Sequence, residues 1–185
     1  MGYISGMVIT SFHDEIKNRG FTIVELLIVI VVIGILAAIT IVAFNGVQQR
    51  ARNTQVVSGV SAYVKAFRQY KAVKSTYPAM SGCLGAGYPS NNCWMSGSTP
   101  AMSVNASLDT EMAEFLPNKP VLATSLMSIG IASYVRGGLG YIYNDTTFGN
   151  RFVYYLDGIN QGCNIAGAVA YNEGGVVTQC NISLP

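Results

Sequence analysis

Four cysteines (Cys83, Cys93, Cys163 and Cys180), nine carboxylates and a single histidine, His13, set the chemistry open to this chain. Thiols can ligate zinc, attack an electrophile or pair as disulfides. Zinc is poorly served, because there is no CxxC and only one imidazole. A thiol nucleophile needs a base beside it, and the same scarcity of histidine removes one. Asp109, Glu111 and Glu114 have the spacing of one short helix, where they form a solvated face favoured by the helix dipole rather than a catalytic set. Asp145, Asp157 and Glu173 are scattered, without the loop spacing that calcium requires. General acid–base chemistry is therefore badly equipped. No catalytic residue, metal site or cofactor is expected, and the chain reads as no enzyme. Asn105, Asn144 and Asn181 each begin an N-x-S/T glycosylation pattern, which is short and often matched by chance.

One carboxylate stands apart. Glu25 lies inside FTIVELLIVIVVIGILAAITIVAF, the 24 residues from Phe21 to Phe44, which are otherwise interrupted only by Thr22, Gly34 and Thr40. As a helix this run measures about 36 Å, enough for a hydrocarbon core of about 30 Å. Half of the chain is hydrophobic (50%) and only 11% is charged, and this segment carries much of that excess. An ordinary secretory signal fits poorly, since its apolar stretch is shorter and Leu36 stands where a small residue is wanted before a cut after Ala38. A plain signal anchor fits the length but leaves Glu25 unexplained. A carboxylate in such a helix costs on the order of 2.5–3.5 kcal/mol on insertion scales, so it calls for a function. Flanking charge does not orient the span: Lys17 and Arg19 precede it, and Arg50 and Arg52 follow.

Lys17-Asn18-Arg19-Gly20-Phe21-Thr22-Ile23-Val24-Glu25-Leu26 resembles the processing site of type IV prepilins and pseudopilins. That family has a basic leader ending in Gly, then Phe, then an apolar helix with Glu at the fifth mature position. The resemblance covers roughly Lys17 to Val47, and beyond it only the layout is shared. It implies cleavage between Gly20 and Phe21 by a membrane prepilin peptidase, methylation of the new Phe21 amine, and loss of a leader, Met1–Gly20, with His13 in it. It also implies that Glu25 pairs with the Phe21 amine of a neighbouring subunit. Such pairing removes much of the cost of a carboxylate in lipid and favours one axial offset between copies. Many members carry a proline about 22 residues into the mature chain. Val42 stands there and the first proline is Pro78, so local melting of the helix at that point is not expected by analogy. Gly34, Thr40 and Asn45-Gly46 are weaker sites of distortion.

The implied role is a structural subunit of a type IV pilus-like filament. A pseudopilin of a secretion or competence machine is the alternative, and a single-span anchored binding module is the reading from another class. Expected partners are further copies in a homo-oligomeric helical filament, the prepilin peptidase, an inner-membrane assembly platform with its ATPase, and lipid before assembly. DNA or a host or surface ligand is the candidate partner of the head. The chain is expected to span the inner membrane once with its head exported, and then to enter an extracellular filament serving adhesion or twitching.

The fold expected is α+β: a long N-terminal helix, first transmembrane and then amphipathic, packed on an antiparallel sheet of about four strands. The segments are a leader at 1–20, a filament-core helix at 21–46, an amphipathic helix at 47–78 and a head at 79–185. Val56, Val57, Val60, Tyr63, Val64, Phe67 and Tyr70 recur at three- and four-residue spacings and make one apolar stripe. Tyr77-Pro78 is expected to close the helix. Arg50, Arg52, Lys65, Arg68, Lys71 and Lys74 lie in a stretch, Asn45–Leu108, without Asp or Glu. They read either as a phosphate-attracting surface or as a solvated face paired with acids of neighbouring subunits. Ala79–Ala106 reads as loop. A short helix is expected around Leu108–Phe115, introduced by Ser107 or Asp109. Leu122–Val135 reads as strand or helical turn. A meander of strands follows at Leu139–Tyr143, Phe152–Leu156, Ile165–Tyr171 and Val176–Ile182. Among Tyr141, Tyr143, Tyr154, Tyr155 and Tyr171, alternate rings should face the core and the surface.

In an exported head the four cysteines read as disulfides. Three pairings exist, and Cys83–Cys93 with Cys163–Cys180 is favoured: the first staples a loop, the second fastens the C-terminal strand. Mass spectrometry of membrane-extracted protein is expected to show a mature chain starting at Phe21, with the leader retained in Gly20→Ala; a start after Ala38 would overturn this.

Overall fold

The computed structural model describes residues 20–97, 99–122, 127–129 and 134–185. The leader before Gly20, with His13, Lys17 and Arg19, lies outside the described residues, as do 123–126 and 130–133 of the segment read as strand or turn. The chain divides into an N-terminal unit ending at Ala43 and a head, Phe44–Pro185. Helix α1 (Ile23–Lys74) supplies the helical part of the first unit and the first helix of the second.

In the head the stripe is buried. Val56, Val60, Tyr63, Val64, Phe67 and Tyr70 are each at most 6% exposed, with Val57 half-buried. Phe67 inserts edge-on between Tyr141 (centroids 4.7 Å apart) and Phe152 (4.8 Å), side chains from two neighbouring strands. Burying a side chain of this size is worth roughly 1.5–3 kcal/mol, so this face of the helix is the main apolar account of the head. Helix α1 ends at Lys74, earlier than Tyr77-Pro78, because Ser75 turns left-handed (φ 64°) and donates its N–H to the Lys71 carbonyl at 2.8 Å.

The sheet against the helix has five antiparallel strands: β1 (Gly82–Leu84), β6 (Leu139–Asp145), β7 (Gly149–Asp157), β9 (Val177–Ser183) and β8 (Ala168–Glu173), in that spatial order. The simple meander expected is therefore corrected at its end: β9 lies between β7 and β8. The connection from Asp157 to Ala168 crosses on the helix side, where the Tyr154 hydroxyl donates to the Cys163 carbonyl (2.7 Å) and Asn53 Nδ2 donates to Gln161 Oε1 (3.3 Å). Cys163 bonds to Cys180 on β9, which ties that crossing to the sheet.

A second sheet was not foreseen. Strands β2 (Asn92–Ser96), β3 (Thr99–Ser103), β4 (Met127–Ser128) and β5 (Tyr134–Arg136) pair in the order β3-β2-β5-β4. Ala79–Ala106 is thus partly strand, against its reading as loop. These strands are short and turn-rich, so no run of alternation was long enough to mark them. The second sheet covers part of the outer face of the first: Trp94 meets Tyr155 edge-on at 5.7 Å, and Ile129, Val153, Tyr155 and Val177 form a separate buried cluster. Tyr155 is accordingly 4% exposed, while Tyr143 and Tyr171 remain at the surface. Gly140 allows the two layers to touch, since a Cβ there would lie 2.6 Å from both Met102 Sδ and Trp94 Cζ2. Helix α2 (Ala106–Met112) begins earlier than expected, capped by Asn105, whose Oδ1 accepts from Ser107 N (3.1 Å) and Leu108 N (3.3 Å).

A polar clamp joins α1 to the end of β7. Asn53 donates Nδ2 to the Asp157 carbonyl (2.9 Å) and accepts the Asp157 N–H on Oδ1 (2.8 Å), as another strand would. Gln49 Nε2 reaches the same carbonyl at 2.8 Å, and Arg52 pairs with the Asp157 carboxylate at 2.5 Å. Asn53 is buried, but the Arg52 guanidinium is 44% exposed, so its ion pair is worth little. In denaturant titrations, Cys163→Ser with Cys180→Ser should lower head stability by about 2–4 kcal/mol. Asn53→Ala should cost about 1–3 kcal/mol by stranding Asp157 N–H, and Arg52→Ala less than about 1 kcal/mol; a larger effect at Arg52 than at Asn53 would refute the clamp.

Candidate functional site

Gly20 and Phe21 precede α1 in irregular, exposed chain, with Phe21 81% exposed and, among the described residues, no atom within 4 Å of where a Gly20 Cβ would sit. A protease could reach this peptide bond unobstructed in the unit as described. The helix start is built by two residues. Thr22 N–H donates to Glu25 Oε2 (2.8 Å), Thr22 Oγ1 donates to the same oxygen (2.9 Å), and Glu25 N–H returns a bond to Thr22 Oγ1 (3.2 Å). This is a reciprocal capping box, and Thr22-Ile23-Val24-Glu25 is its S/T-x-x-E signature. The signal was present in the sequence. The charge of Glu25 inside an apolar run masks this local role, and Thr22 is a functional residue absent from the sequence-based set.

Glu25 therefore does two things for the unit. It satisfies donors that a helix N-terminus otherwise leaves open, and in return it holds hydrogen bonds that soften the cost of a carboxylate in an apolar surrounding. Beyond it the surface is apolar: Ile28, Val29, Ile33, Leu36, Ile39 and Ile41 are all around half exposed or more, and this stretch has no buried face of its own. By length and composition it can cross a membrane.

The other candidate residues lie in the head. Cys83 is bonded to Cys93 and Cys163 to Cys180, each with Cα atoms 5.8 Å apart, and no cysteine is free among the described residues. The scattered carboxylates are each engaged by a basic group or hydroxyl of the same chain: Asp145 with Arg151 (2.9 Å), Asp157 with Arg52, Glu173 with Arg136 (3.2 Å), Asp109 with Lys119 (2.8 Å) and Glu111 with the Tyr70 hydroxyl. Among the described residues no cluster of three His, Cys, Asp or Glu is arranged to hold a metal. Backbone N–H groups of Thr147 and Phe148, together with Arg151, hold the Asp145 carboxyl below the usual carboxylate range. Burial, helped by Glu111, pushes the Tyr70 phenol up to about 12, and burial alone raises that of Tyr154.

Half of the basic set of α1 is engaged within the chain. Arg52 pairs with Asp157, Lys74 with Glu114 (3.8 Å), and Lys71 bonds the Pro185 carbonyl while lying over the Tyr77 ring. Arg50, Lys65 and Arg68 are exposed and enter no ion pair among the described residues. Of the three glycosylation patterns, Asn105 is occupied as a cap, Asn181 is half-buried in β9, and Asn144 sits exposed near the end of β6 at φ 54°.

Residues 16–41 match a family profile described as the prokaryotic N-terminal methylation motif. The chain is 35% identical over 72 residues to the type II secretion system core protein G of Dickeya chrysanthemi, covering 39% of this chain and 47% of that protein. It is 40% identical over 62 residues to the protein of the same name from Klebsiella michiganensis, covering 34% and 44%. The type IV major pilin protein PilA of Myxococcus xanthus is 39% identical over 61 residues, 33% of this chain and 28% of that one. The matches thus span less than half the length of these relatives. No solved structure matches the chain significantly.

The capping box yields a direct test. Thr22→Val removes both hydroxyl bonds and should fray the first turn at a cost of about 1 kcal/mol. Amide exchange at Glu25 and Leu26 should accelerate in detergent-solubilised chain while that of residues beyond Gly34 stays unchanged; unchanged exchange at Glu25 would remove the cap from consideration.

Proposed function

We propose that this chain, whose N-terminal segment is that of a type IV pilin or pseudopilin, is a structural subunit of a helical filament. The observation that carries the reading is the pairing of a methylation motif at 16–41 with an apolar surface that its own unit leaves uncovered. Such a surface is stable in lipid or against copies of itself, and a subunit that moves from one to the other needs both.

The steps follow from the chain's own groups. The peptidase cuts at Gly20–Phe21, the new Phe21 amine is methylated, and the helix rests in the inner membrane with the head exported. Glu25, parked on Thr22, exchanges those bonds for the amine of a neighbouring Phe21 when the subunit joins the filament base. The exchange favours one axial offset, because every other offset leaves an amine or a carboxylate without its counter-charge in an apolar surrounding. An assembly platform and its ATPase supply the work of extraction. The role is structural and not enzymatic.

Both pilus and secretion pseudopilus use this architecture, and the relatives reported above include members of each kind. The shared segment serves either, so the choice between them rests on the head. Two disulfides suit a head that stays folded in an oxidising compartment, a condition that either kind of filament meets.

Glu25→Val is the decisive variant. It should be cleaved normally, be held in the membrane more readily, and disappear from sheared surface filaments when it is the sole subunit. Immunoblots of membrane and sheared fractions measure both. Wild-type filament yield from the variant would sink the pairing mechanism, and uncleaved wild-type protein would sink the family reading itself.

A further inference from the structure

We propose that the uncovered end of the outer face of the five-stranded sheet is a binding site for a neutral saccharide. The second sheet covers that face over Gly140, Val153, Tyr155 and Val177. Beyond it the register continues as rows across the strands: Val153 opposite Asn181 and Asn181 opposite Val169, then Tyr155 opposite Gln179 and Gln179 opposite Tyr171. The β8 and β9 members of these rows, with Arg151 and Phe148, line a groove of about 180 Å³. That is room for one sugar ring with its ends open to further units.

The lining has the chemistry for such a ring. Phe148 (51% exposed) and Tyr171 (54%) stand at the rim, Phe148 with the Arg151 guanidinium against its ring and Tyr171 largely open, although burying rings of this size is favourable. A pyranose has an apolar C–H face that stacks on an aromatic ring, while its edge is a row of hydroxyls that both donate and accept. The floor answers that edge. Asn181 Oδ1 is taken up by Arg151 Nη1 (3.3 Å) and Gln179 Nε2 (3.2 Å). This leaves the Asn181 amide donor and the Gln179 acceptor without a protein partner among the described residues, two positions apart on one face of β9. A donor beside an acceptor complements two adjacent hydroxyls. Pockets that combine apolar walls with a few fixed polar groups are the ordinary form of small-ligand sites.

Charge selects the class of sugar. Arg151 is the one cation of the groove lining, and Asp145 neutralises it at 2.9 Å while the Phe148 ring lies over its guanidinium, 4.8 Å away. An anionic ligand would have to break that pair; a neutral one would not. An extended peptide would use the free edge of β8 through its backbone groups, whereas the groove lies on the face and offers side chains. The inference concerns the head alone and holds whichever kind of filament the chain joins.

The test uses the isotope-labelled full chain in a zwitterionic detergent without a sugar headgroup, titrated with N-acetylglucosamine, methyl β-galactoside and cellobiose. At least one should shift the Tyr171, Gln179 and Asn181 resonances with millimolar saturation. Tyr171→Ala and Gln179→Ala, which change exposed or half-exposed side chains and should leave the remaining spectrum intact, should each weaken that binding by about tenfold or more. Absence of groove shifts with all three sugars overturns the proposal. So do shifts that survive in Tyr171→Ala, tighter binding of sialyllactose than of lactose, or an extended peptide that perturbs the β8 edge amides where the sugars do nothing.

Discussion

Phe67 wedged between Tyr141 and Phe152 is the contact on which the head is built. It places α1 across β6 and β7, and the rest of the stripe follows because residues three and four apart share that face. Once the helix covers one side of the sheet, the crossing from Asp157 to Ala168 must pass along the edge of that helix, and Asn53 and Gln49 are where it is met. The Cys163–Cys180 bond then holds the crossing to β9. A small head of two sheet layers gains from such fastening, since it limits what the unfolded chain can explore.

The N-terminal unit obeys the opposite constraint. Its apolar residues have no partner in the unit among the described residues, so their stability belongs to their surroundings. The capping box is the local solution to the one place where that surrounding is worst, the open N–H groups and the charge at the helix start. Thr22 and Glu25 satisfy each other at the monomer stage. A charged hydrogen-bond partner would be stronger than these neutral donors, and that is the exchange on which the proposed assembly step relies.

The outer sheet face shows how partial cover creates chemistry. Where the second sheet lies, Tyr155 and Val153 behave as core. One strand further on, residues of the same alternation are exposed and form a groove. The boundary depends on how far four short strands reach, and Gly140 sets that reach by letting Trp94 and Met102 approach the backbone of β6.

Much of this was determined by local sequence. The Gly20-Phe21 junction, the apolar run, the offset of Glu25 and the stripe from Val56 to Tyr70 are patterns of composition and period, and a helix expresses such patterns without reference to the remainder of the chain. The four C-terminal strands were legible for the same reason. What tertiary structure decided was pairing. Strand order, with β9 inside β8, depends on a crossing whose path no local preference specifies. The second sheet depends on strands of two to five residues that are stable only against the first. Tyr155 is buried and Tyr171 exposed although both project from the same face. That difference lies in distant residues, Trp94 and Ile129, which the chain brings to one ring and not to the other.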